Sequence, residues 1–346
     1  MGPVAEQASG ARGRAPARRG RLRPDSPLLG GSLDSGAGAE EPRPTTVEYD
    51  PTEDALALPS SAPRGGGLED VDARLLRELI PPPETGRELD DWGRSERVFS
   101  LLEPLLDFYY RYWFRVEHEG IENVPSEGGA LLVSNHSGAL PPDAPMIMHA
   151  LRVEHPASRP LYMLGENWFK GYPGIGMLAN KAGLVPAHPA NAQRLLGDEG
   201  RLVLVFPEGQ KGSRKLFWQR YRLRRFGRGG FVKTALRAGV PIVPIAVVGA
   251  EEAMPIFAHV PLLQRLTGLI YFPVNHAFPH FGLAAGLLYL PAKFKIRFLE
   301  PVSLDGYGPD DADDLELVQT LAEGVRERIQ TEVDDLISSR TSVWFG

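Results

Sequence analysis

Apolar runs alternate with amphipathic stretches along residues 120–336, and this alternation predicts the elements of an α/β domain. Short continuous runs of Leu, Val and Ile are typical of strands that are buried on both faces of a sheet. We predict strands at residues 130–134, 160–164, 184–186, 201–206, 242–248 and 293–298. We predict helices at residues 143–151, 167–169, 176–181, 191–196, 231–238 and 311–336. The pattern therefore favours a mixed, largely parallel sheet that is flanked by helices.

The chain before this domain has a different composition. Residues 1–67 hold Gly, Pro, Ala, Arg and Ser with few large apolar side chains, so they cannot bury enough surface to offset their ordering entropy. Residues 68–80 have a helical pattern that ends at a run of prolines. We expect a disordered tail at 1–67, an N-terminal helical segment at 68–116 and the main domain at 117–346.

Residues 94–116 combine many aromatic side chains with a narrow polar stripe. The polar positions recur every three or four residues, at Glu96, Ser100, Glu103, Asp107, Arg111 and Arg115. This spacing predicts amphipathic helices, and Pro104 predicts a division into two of them. Amphipathic helices that carry Tyr and Trp rings are typical of the interfacial layer of a bilayer. A helix that is buried in the protein's own core is the alternative interpretation.

Charge is distributed unevenly along a chain whose formal net charge is −6. Between Gln210 and Ala250 there is no Asp or Glu, whereas Lys and Arg recur throughout. A basic block of this kind attracts phosphate groups of a nucleotide or an anionic lipid. Because the whole chain is acidic and has no recognised nucleic-acid motif, we expect no nucleic-acid partner.

Two absences narrow the possible chemistry. The chain has no Cys, which excludes disulfides, thiolate metal ligands and a Cys nucleophile. Its His residues do not have the spacing of a known metal motif, so we expect no metal site. No run reaches the ~18 apolar residues that a membrane-spanning helix needs.

The end of the predicted strand 130–134 carries the first residues that are suited to catalysis. A neutral His136 can accept a hydroxyl proton, and Asp143 can hold the other ring nitrogen and stabilise the imidazolium. Asn135 is expected to hold this loop through backbone hydrogen bonds. Ser137 is a competing candidate, as a nucleophile activated by His136, although the chain has no G-x-S-x-G motif.

The end of the predicted strand 201–206 carries a second group of candidates. These residues are Phe206, Pro207, Glu208 and Gly209. Glu208 can accept a hydrogen bond from a substrate hydroxyl or anchor the pocket, and Gly209 lets the backbone approach a ligand. We expect Lys211, Arg214 and Lys215 at the mouth of the same pocket, where they would attract phosphates.

Taken together, these residues resemble the glycerolipid and lysophospholipid acyltransferase superfamily. Three blocks occur in the family's order within residues 117–302: Asn135-His136 with Asp143, then residues 206–209, then the apolar run 240–245. The resemblance implies a glycerol-phosphate acyltransferase-like α/β fold. It also implies transfer of a fatty acyl group from acyl-CoA or acyl carrier protein to a lipid hydroxyl at a membrane surface, without a metal or another cofactor.

The resemblance implies that His136 is the general base and that Asp143 orients it. The candidate substrate-binding residues around them are Asn135, Ser137, Gly138, Phe206, Pro207, Glu208, Gly209, Lys211 and Arg214. The expected location is the cytoplasmic face of a membrane, with peripheral or monotopic attachment. A lipid-binding protein with degraded chemistry is one alternative, and a serine-type thioesterase or hydrolase that uses Ser137 is another.

Three departures from the family's pattern bear on the acceptor. The six-residue spacer between His136 and Asp143 is longer than the family's usual spacer. Residues 183–188 lack the Arg of the family's second block, and Lys211 stands where the third block has Arg. In the family, those two Arg residues grip the acceptor's phosphate. Their absence favours a neutral glyceride, a long-chain alcohol or another lipid hydroxyl over a phosphorylated acceptor.

Overall fold

Seven strands form the central sheet of the computed structural model, and a two-stranded ribbon lies apart from it. The central strands are β1 (Glu117–Glu119), β2 (Ala130–Ser134), β3 (Leu161–Gly165), β4 (Leu184–Pro186), β5 (Leu202–Val205), β6 (Ile242–Val248) and β9 (Lys295–Phe298). The ribbon pairs β7 (Ala258–His259) with β8 (Pro273–Val274). The central order is β1-β9-β6-β2-β5-β3-β4. Among the described strand pairs of this sheet, only β6 and β9 are antiparallel, so the predicted mixed, largely parallel sheet is confirmed.

The structure describes residues 89–138, 141–165, 175–267, 273–277 and 288–346. The tail predicted at 1–67 and the helices predicted at 68–80 and 167–169 lie outside these residues, so those predictions stay untested. The described helices are α1 (Glu96–Asp107), α2 (Asp143–Val153), α3 (Ile175–Lys181), α4 (Pro189–Gln193), α5 (Gln210–Ser213), α6 (Gly230–Ala238), α7 (Ala250–Ala253), α8 (Pro261–Thr267) and α9 (Leu315–Ser338). Shorter π-helical and 3₁₀ turns complete the set at Phe108–Trp113, Ile121–Asn123, Arg194–Asp198, Phe217–Gln219 and Pro309–Asp313.

Side chains on the two faces of the sheet enter two separate apolar cores. In β2, Leu132 enters the core that contains Ile147 of α2, whereas Leu131 enters the core that contains Ile329 of α9. Successive side chains of a strand point to opposite faces, so both faces of β2 are covered by helices. This double burial explains why the predicted strands are continuous apolar runs rather than alternating ones.

The prediction that Pro104 divides residues 94–116 into two helices is wrong. Pro104 lies inside α1, and the chain continues directly into the π-helical turn Phe108–Trp113. A proline removes one backbone donor, but burial of Phe99 and Tyr110 holds the segment together on either side of it. The π-helical hydrogen bond, which joins residues five apart, follows after Pro104: Phe114 N donates to Tyr109 O at 2.7 Å.

The predicted helix 311–336 also begins differently in the structure. Residues Pro309–Asp313 form a 3₁₀ turn, and Asp314 then caps α9 by accepting hydrogen bonds from Glu316 N and Leu317 N. An Asp at this position satisfies backbone donors that have no partner inside the helix. Among the helices of the described ranges, none combines the length and the apolar character that a membrane crossing requires.

Candidate active site

The candidate site forms where two neighbouring strands end. β2 and β5 pair in parallel, with Val133 opposite Val205 near their carboxyl ends. The loop that begins at Asn135 and the turn that begins at Phe206 therefore leave the sheet side by side. This is the edge at which open α/β sheets usually bind their ligands.

Asp143 is the first residue of α2, and its carboxylate faces the loop that carries His136. Its Oδ2 lies 3.1 Å from His136 Nδ1 and accepts from Ser137 N at 3.0 Å and from Ser137 Oγ at 3.1 Å. Its Oδ1 accepts from Ala144 N at 2.8 Å. The Asp143 side chain is fully buried, whereas that of His136 is 16% exposed. The structure thus brings together the two predicted catalytic residues and leaves the imidazole partly accessible.

Packing fixes the other side of the His136 ring. Phe206 stacks on the imidazole, with ring centroids 4.2 Å apart and planes 23° apart. Gly138 lies close to a neighbouring loop, and a Cβ at this position would lie 2.8 Å from Met254 O. Phe206 thus provides an aromatic face for the His136 ring, and position 138 has no room for a side chain.

Asn135 fastens the loop that carries His136 to the neighbouring strand β6. Its Nδ2 donates to Val247 O at 2.9 Å, and its Oδ1 accepts from Val247 N at 2.8 Å. These contacts agree with the expectation that Asn135 fastens the loop. Its side chain is buried, and a direct contact with substrate stays a prediction.

Glu208 holds the backbone of His136. Its Oε1 accepts from His136 N at 3.0 Å, and its Oε2 accepts from Arg224 N at 2.7 Å. The residue is only 4% exposed. Gly209 completes the turn with a φ of 55°, a left-handed conformation that favours glycine, and its N–H donates to Phe206 O at 2.9 Å. Of the two roles expected for Glu208, the contacts match the anchor.

The expectation that Lys215 lies at the mouth of the pocket is wrong. Its Nζ is buried and lies 3.5 Å from Glu208 Oε1. Burial alone lowers the pKa of Lys215, but the neighbouring carboxylates of Glu251 and Glu208 outweigh burial and raise it. The ammonium of Lys215 therefore pairs with carboxylates inside the protein. Lys211 is exposed and Arg214 is half-buried, so a role in binding phosphate stays a prediction for these two residues.

Sequence reasoning does not single out Gly212 or Glu251, and the structure places both beside the site. A Cβ at position 212 would lie 2.7 Å from Glu208 Cβ. Glu251 is buried just beyond β6, at the same carboxyl edge as His136. The rule that ligands bind at the carboxyl ends of parallel strands would have drawn attention to Glu251, whereas Gly212 has no distinctive signal in the sequence.

Comparisons with known proteins identify the family. A sequence model described as "Acyltransferase" matches residues 115–248, which contain His136, Asp143 and Glu208. An uncharacterized protein of Mycobacterium tuberculosis is 47% identical over 259 residues, covering 75% of this chain and 72% of that protein. An uncharacterized protein of Mycobacterium leprae is 47% identical over 275 residues, covering 79% of this chain and 74% of that protein.

Relatives with descriptive names are more distant. The 1-acyl-sn-glycerol-3-phosphate acyltransferase alpha of Mus musculus is 28% identical over 247 residues, covering 69% of this chain and 71% of that protein. The crystal structure of the 1-acyl-sn-glycerophosphate (LPA) acyltransferase of Thermotoga maritima matches at 19% identity with a TM-score of 0.47. That match covers 78% of this chain and 90% of the other. The chain therefore carries an Acyltransferase domain at residues 115–248 and belongs to the glycerolipid acyltransferase superfamily.

Proposed function

We propose that the protein is an O-acyltransferase that moves a fatty acyl group from an acyl-CoA or acyl carrier protein thioester to the hydroxyl of a glycerolipid or another lipid. The contact between His136 and Asp143 carries this proposal. With Nδ1 turned towards Asp143, Nε2 of His136 is the nitrogen that an acceptor hydroxyl would meet. A base in this position contributes roughly 10²–10⁴-fold in rate.

The reaction needs one proton to move twice. Nε2 of His136 takes the proton of the acceptor hydroxyl while the oxygen attacks the thioester carbonyl. The tetrahedral intermediate then collapses, the C–S bond breaks, and the imidazolium returns the proton to the leaving thiolate. Asp143 stabilises the imidazolium between these two steps without becoming protonated. The products are the lipid ester and the free thiol of the carrier.

The basic residues beside Glu208 bear on the acceptor. Lys215 lies in an ion pair and is 4% exposed, so its charge is not available to a substrate phosphate. Lys211 alone then stands where the family's third block has a phosphate-gripping Arg. We therefore favour a neutral acceptor such as mono- or diacylglycerol. Among the relatives, an enzyme of Gallus gallus that is 27% identical over 221 residues, covering 64% of this chain and 61% of that protein, is described as synthesizing storage lipids.

Attachment to a membrane surface is supported by one exposed stripe. Its members are Leu101, Leu105, Phe108 and Tyr112, which are 49%, 55%, 46% and 69% exposed. They recur every three or four residues, so they share one side of the helical segment. The opposite side packs against α2, the helix that begins with Asp143. An apolar and aromatic stripe of this kind suits the interfacial layer of a bilayer.

Purified protein, labelled acyl-CoA and a panel of acceptors test the proposal. The panel comprises lysophosphatidate, monoacylglycerol, diacylglycerol and a fatty alcohol. We expect esterification of at least one neutral acceptor, and a loss of about 10²–10⁴-fold in kcat for His136→Ala with lipid binding retained. Full activity in His136→Ala would show the mechanism to be wrong. Lipid binding without transfer in the wild type would favour the degraded, lipid-binding alternative.

A further inference from the structure

Three charged side chains meet in the interior behind the catalytic loop. Nζ of Lys215 lies 2.6 Å from Glu251 Oε1 and 3.5 Å from Glu208 Oε1. The three side chains are between 0% and 5% exposed. Two carboxylates therefore share one ammonium, and the cluster carries a net charge of −1 when all three groups are ionised. We call Glu208, Lys215 and Glu251 the buried ion cluster.

One loop joins the two carboxylates of the buried ion cluster. Tyr221 N donates to Glu251 Oε2, and Arg224 N donates to Glu208 Oε2 at 2.7 Å. Tyr221 has a φ of 63°, which is uncommon for a residue with a side chain. Its phenol oxygen accepts from Gly249 N at 2.8 Å, and this bond holds the loop against the end of β6. The carboxylates are thus held by backbone donors as well as by Lys215.

The cluster reaches the catalytic residue through a single atom. Oε1 of Glu208 faces both Lys215 Nζ and the backbone N of His136. A charged acceptor forms a stronger hydrogen bond to an amide than a neutral one does. Because Lys215 and His136 N face the same oxygen, Lys215 affects where Glu208 and the His136 backbone lie.

We propose that Lys215 and Glu251 are positioning residues for His136, and that they act through Glu208, because Lys215 offsets the repulsion between the two buried carboxylates. The inference rests on the proposed function only for its kinetic consequences. Neither residue belongs to the recognised sequence blocks, and neither is placed to touch a substrate, since both side chains are buried.

Charged groups around Glu251 act on its ionisation in opposite directions. Burial raises the pKa of Glu251 to about 7, Lys215 opposes this effect, and the negative charges of Glu208 and Asp143 add to it. The next residue, Glu252, has its own cationic partners: its Oε1 lies 2.8 Å from Arg340 Nη2 and 3.7 Å from Arg220 Nε. Removal of Lys215 alone leaves two buried carboxylates that repel each other, so Glu208 is pushed away from Glu251 and its hydrogen bond with His136 N is disturbed. Neutralising Glu251 as well removes this repulsion, so Glu208 can keep its place beside His136 N.

A double-mutant cycle tests this balance. The variants are Lys215→Met, Glu251→Gln and the two combined. Two matched controls remove buried charges that do not contact Glu208: Lys293→Met breaks an ion pair with Glu117 at 2.7 Å, and Glu252→Gln removes the partner of Arg340.

We expect Lys215→Met to lower kcat by about 10–100-fold with KM changed less than about threefold, because a shift of the base of about 1 Å costs rate more than binding. We expect Glu251→Gln to restore at least about tenfold of that loss in the double variant, a coupling that additive packing defects do not produce. The controls should keep the wild-type kcat.

Amide hydrogen exchange of His136 gives a readout that needs no substrate. We expect faster exchange at His136 N in Lys215→Met, recovery in the double variant and wild-type exchange in both controls. If the wild type transfers no acyl group, the proposed function fails while this measurement still decides the inference. Unchanged exchange in Lys215→Met, or purely additive effects in the cycle, would overturn it. If Lys215→Met does not fold, folding of the double variant supports the inference, and failure of both to fold contradicts it.

Discussion

Gly212 lies directly against His136. A Cβ placed on Gly212 would lie 3.0 Å from His136 Cβ and 2.7 Å from Glu208 Cβ. Both distances are shorter than ordinary van der Waals contact, and Glu208 is fixed by two backbone donors. The turn that follows residues 207–209 can therefore approach the loop that carries His136 only because position 212 has no side chain.

We expect Gly212→Ala to lower kcat by about tenfold or more and to destabilise the fold by about 1–3 kcal/mol, because the extra methyl pushes Glu208 and the catalytic loop apart. Steady-state kinetics and thermal unfolding measure the two effects. Gly324→Ala is the control, since a Cβ there meets nothing within 4 Å and lies within α9. Alanine should stabilise that helix by up to about 1 kcal/mol. Wild-type kcat in Gly212→Ala would show that the close approach has no catalytic importance.

The hydroxyl of Ser137 faces Asp143. Its removal distinguishes the proposed general-base mechanism of His136 from the alternative in which Ser137 is the nucleophile. Its Oγ donates to the Oδ2 atom that also faces His136 Nδ1. We expect Ser137→Ala to keep acyl transfer within about tenfold of the wild type, because it removes only one of the donors on Asp143. Asp143→Asn should lose considerably more, because the imidazolium then lacks its counter-charge.

Kinetic assays with the same acyl-CoA and acceptor compare Ser137→Ala and Asp143→Asn. Complete loss in Ser137→Ala, together with a wild-type enzyme that hydrolyses thioester without an acceptor, would favour the serine-type thioesterase instead. Thr320→Val serves as a control for removal of a hydroxyl, since this exposed residue lies on α9 and bonds only to Glu316 O at 2.9 Å among its described contacts.

Local patterns explain which parts of the site were predictable. The strand ends could be placed because apolar runs such as residues 130–134 stop abruptly, and parallel strands bring their carboxyl ends to one edge. The pairing of His136 with Asp143 followed from that placement. The charge pattern misplaced Lys215, because a run of basic residues does not show which member turns inward. Its partner Glu251 is distant in the chain and contacts it only in the folded protein.

Backbone details were the least predictable part of the fold. Pro104 was expected to divide the N-terminal helical segment, yet Pro104 is exposed, and the burial of Phe99 and Tyr110 on either side of it keeps the segment continuous. Tertiary burial outweighed a local preference there. The close approach at Gly212 depends on two segments that meet only in the folded chain, so no pattern within either segment announces it.

The raised pKa of Glu251 predicts a pH-dependent stability. Burial raises this pKa from its ordinary value of 4.5 to about 7, so the folded protein binds the proton more tightly than the unfolded chain does. The stabilising contribution is complete below pH 4.5 and is lost as the pH rises through about 7. We therefore expect Glu251→Gln to raise the Tm relative to the wild type more at about pH 8 than at about pH 5. Scanning calorimetry at both pH values measures the difference, and Glu300→Gln at the surface is the control. An equal Tm difference at the two pH values would contradict the prediction.

The exposed stripe on the N-terminal helix predicts reversible binding to lipid. We expect Leu105→Glu combined with Phe108→Glu to lower partitioning into phosphatidylcholine–phosphatidylglycerol vesicles by about tenfold or more, since it replaces apolar surface with charge. Activity on a short-chain acceptor that is soluble in water should stay near the wild-type value. Leu315→Glu is the matched control, because Leu315 is 59% exposed at the start of α9 and lies outside the stripe. Vesicle sedimentation measures the binding. An equal loss of binding in the control variant would show that the stripe is not the surface that binds lipid.

Lys211 offers a way to identify the donor's carrier group. Lys211 is exposed on α5, in the segment that packs against Glu208 and His136 through Gly212. If its ammonium meets the phosphates of coenzyme A, Lys211→Gln should raise KM for acyl-CoA by about tenfold, which is the usual effect of losing one charge-assisted contact. The same variant should leave KM unchanged for an acyl-pantetheine donor, which carries the thioester without the nucleotide. Lys233→Gln on α6 is the control, since it lies in the basic block but outside the site. An equal rise in KM for both donors would place Lys211 at the acyl or acceptor end of the site instead.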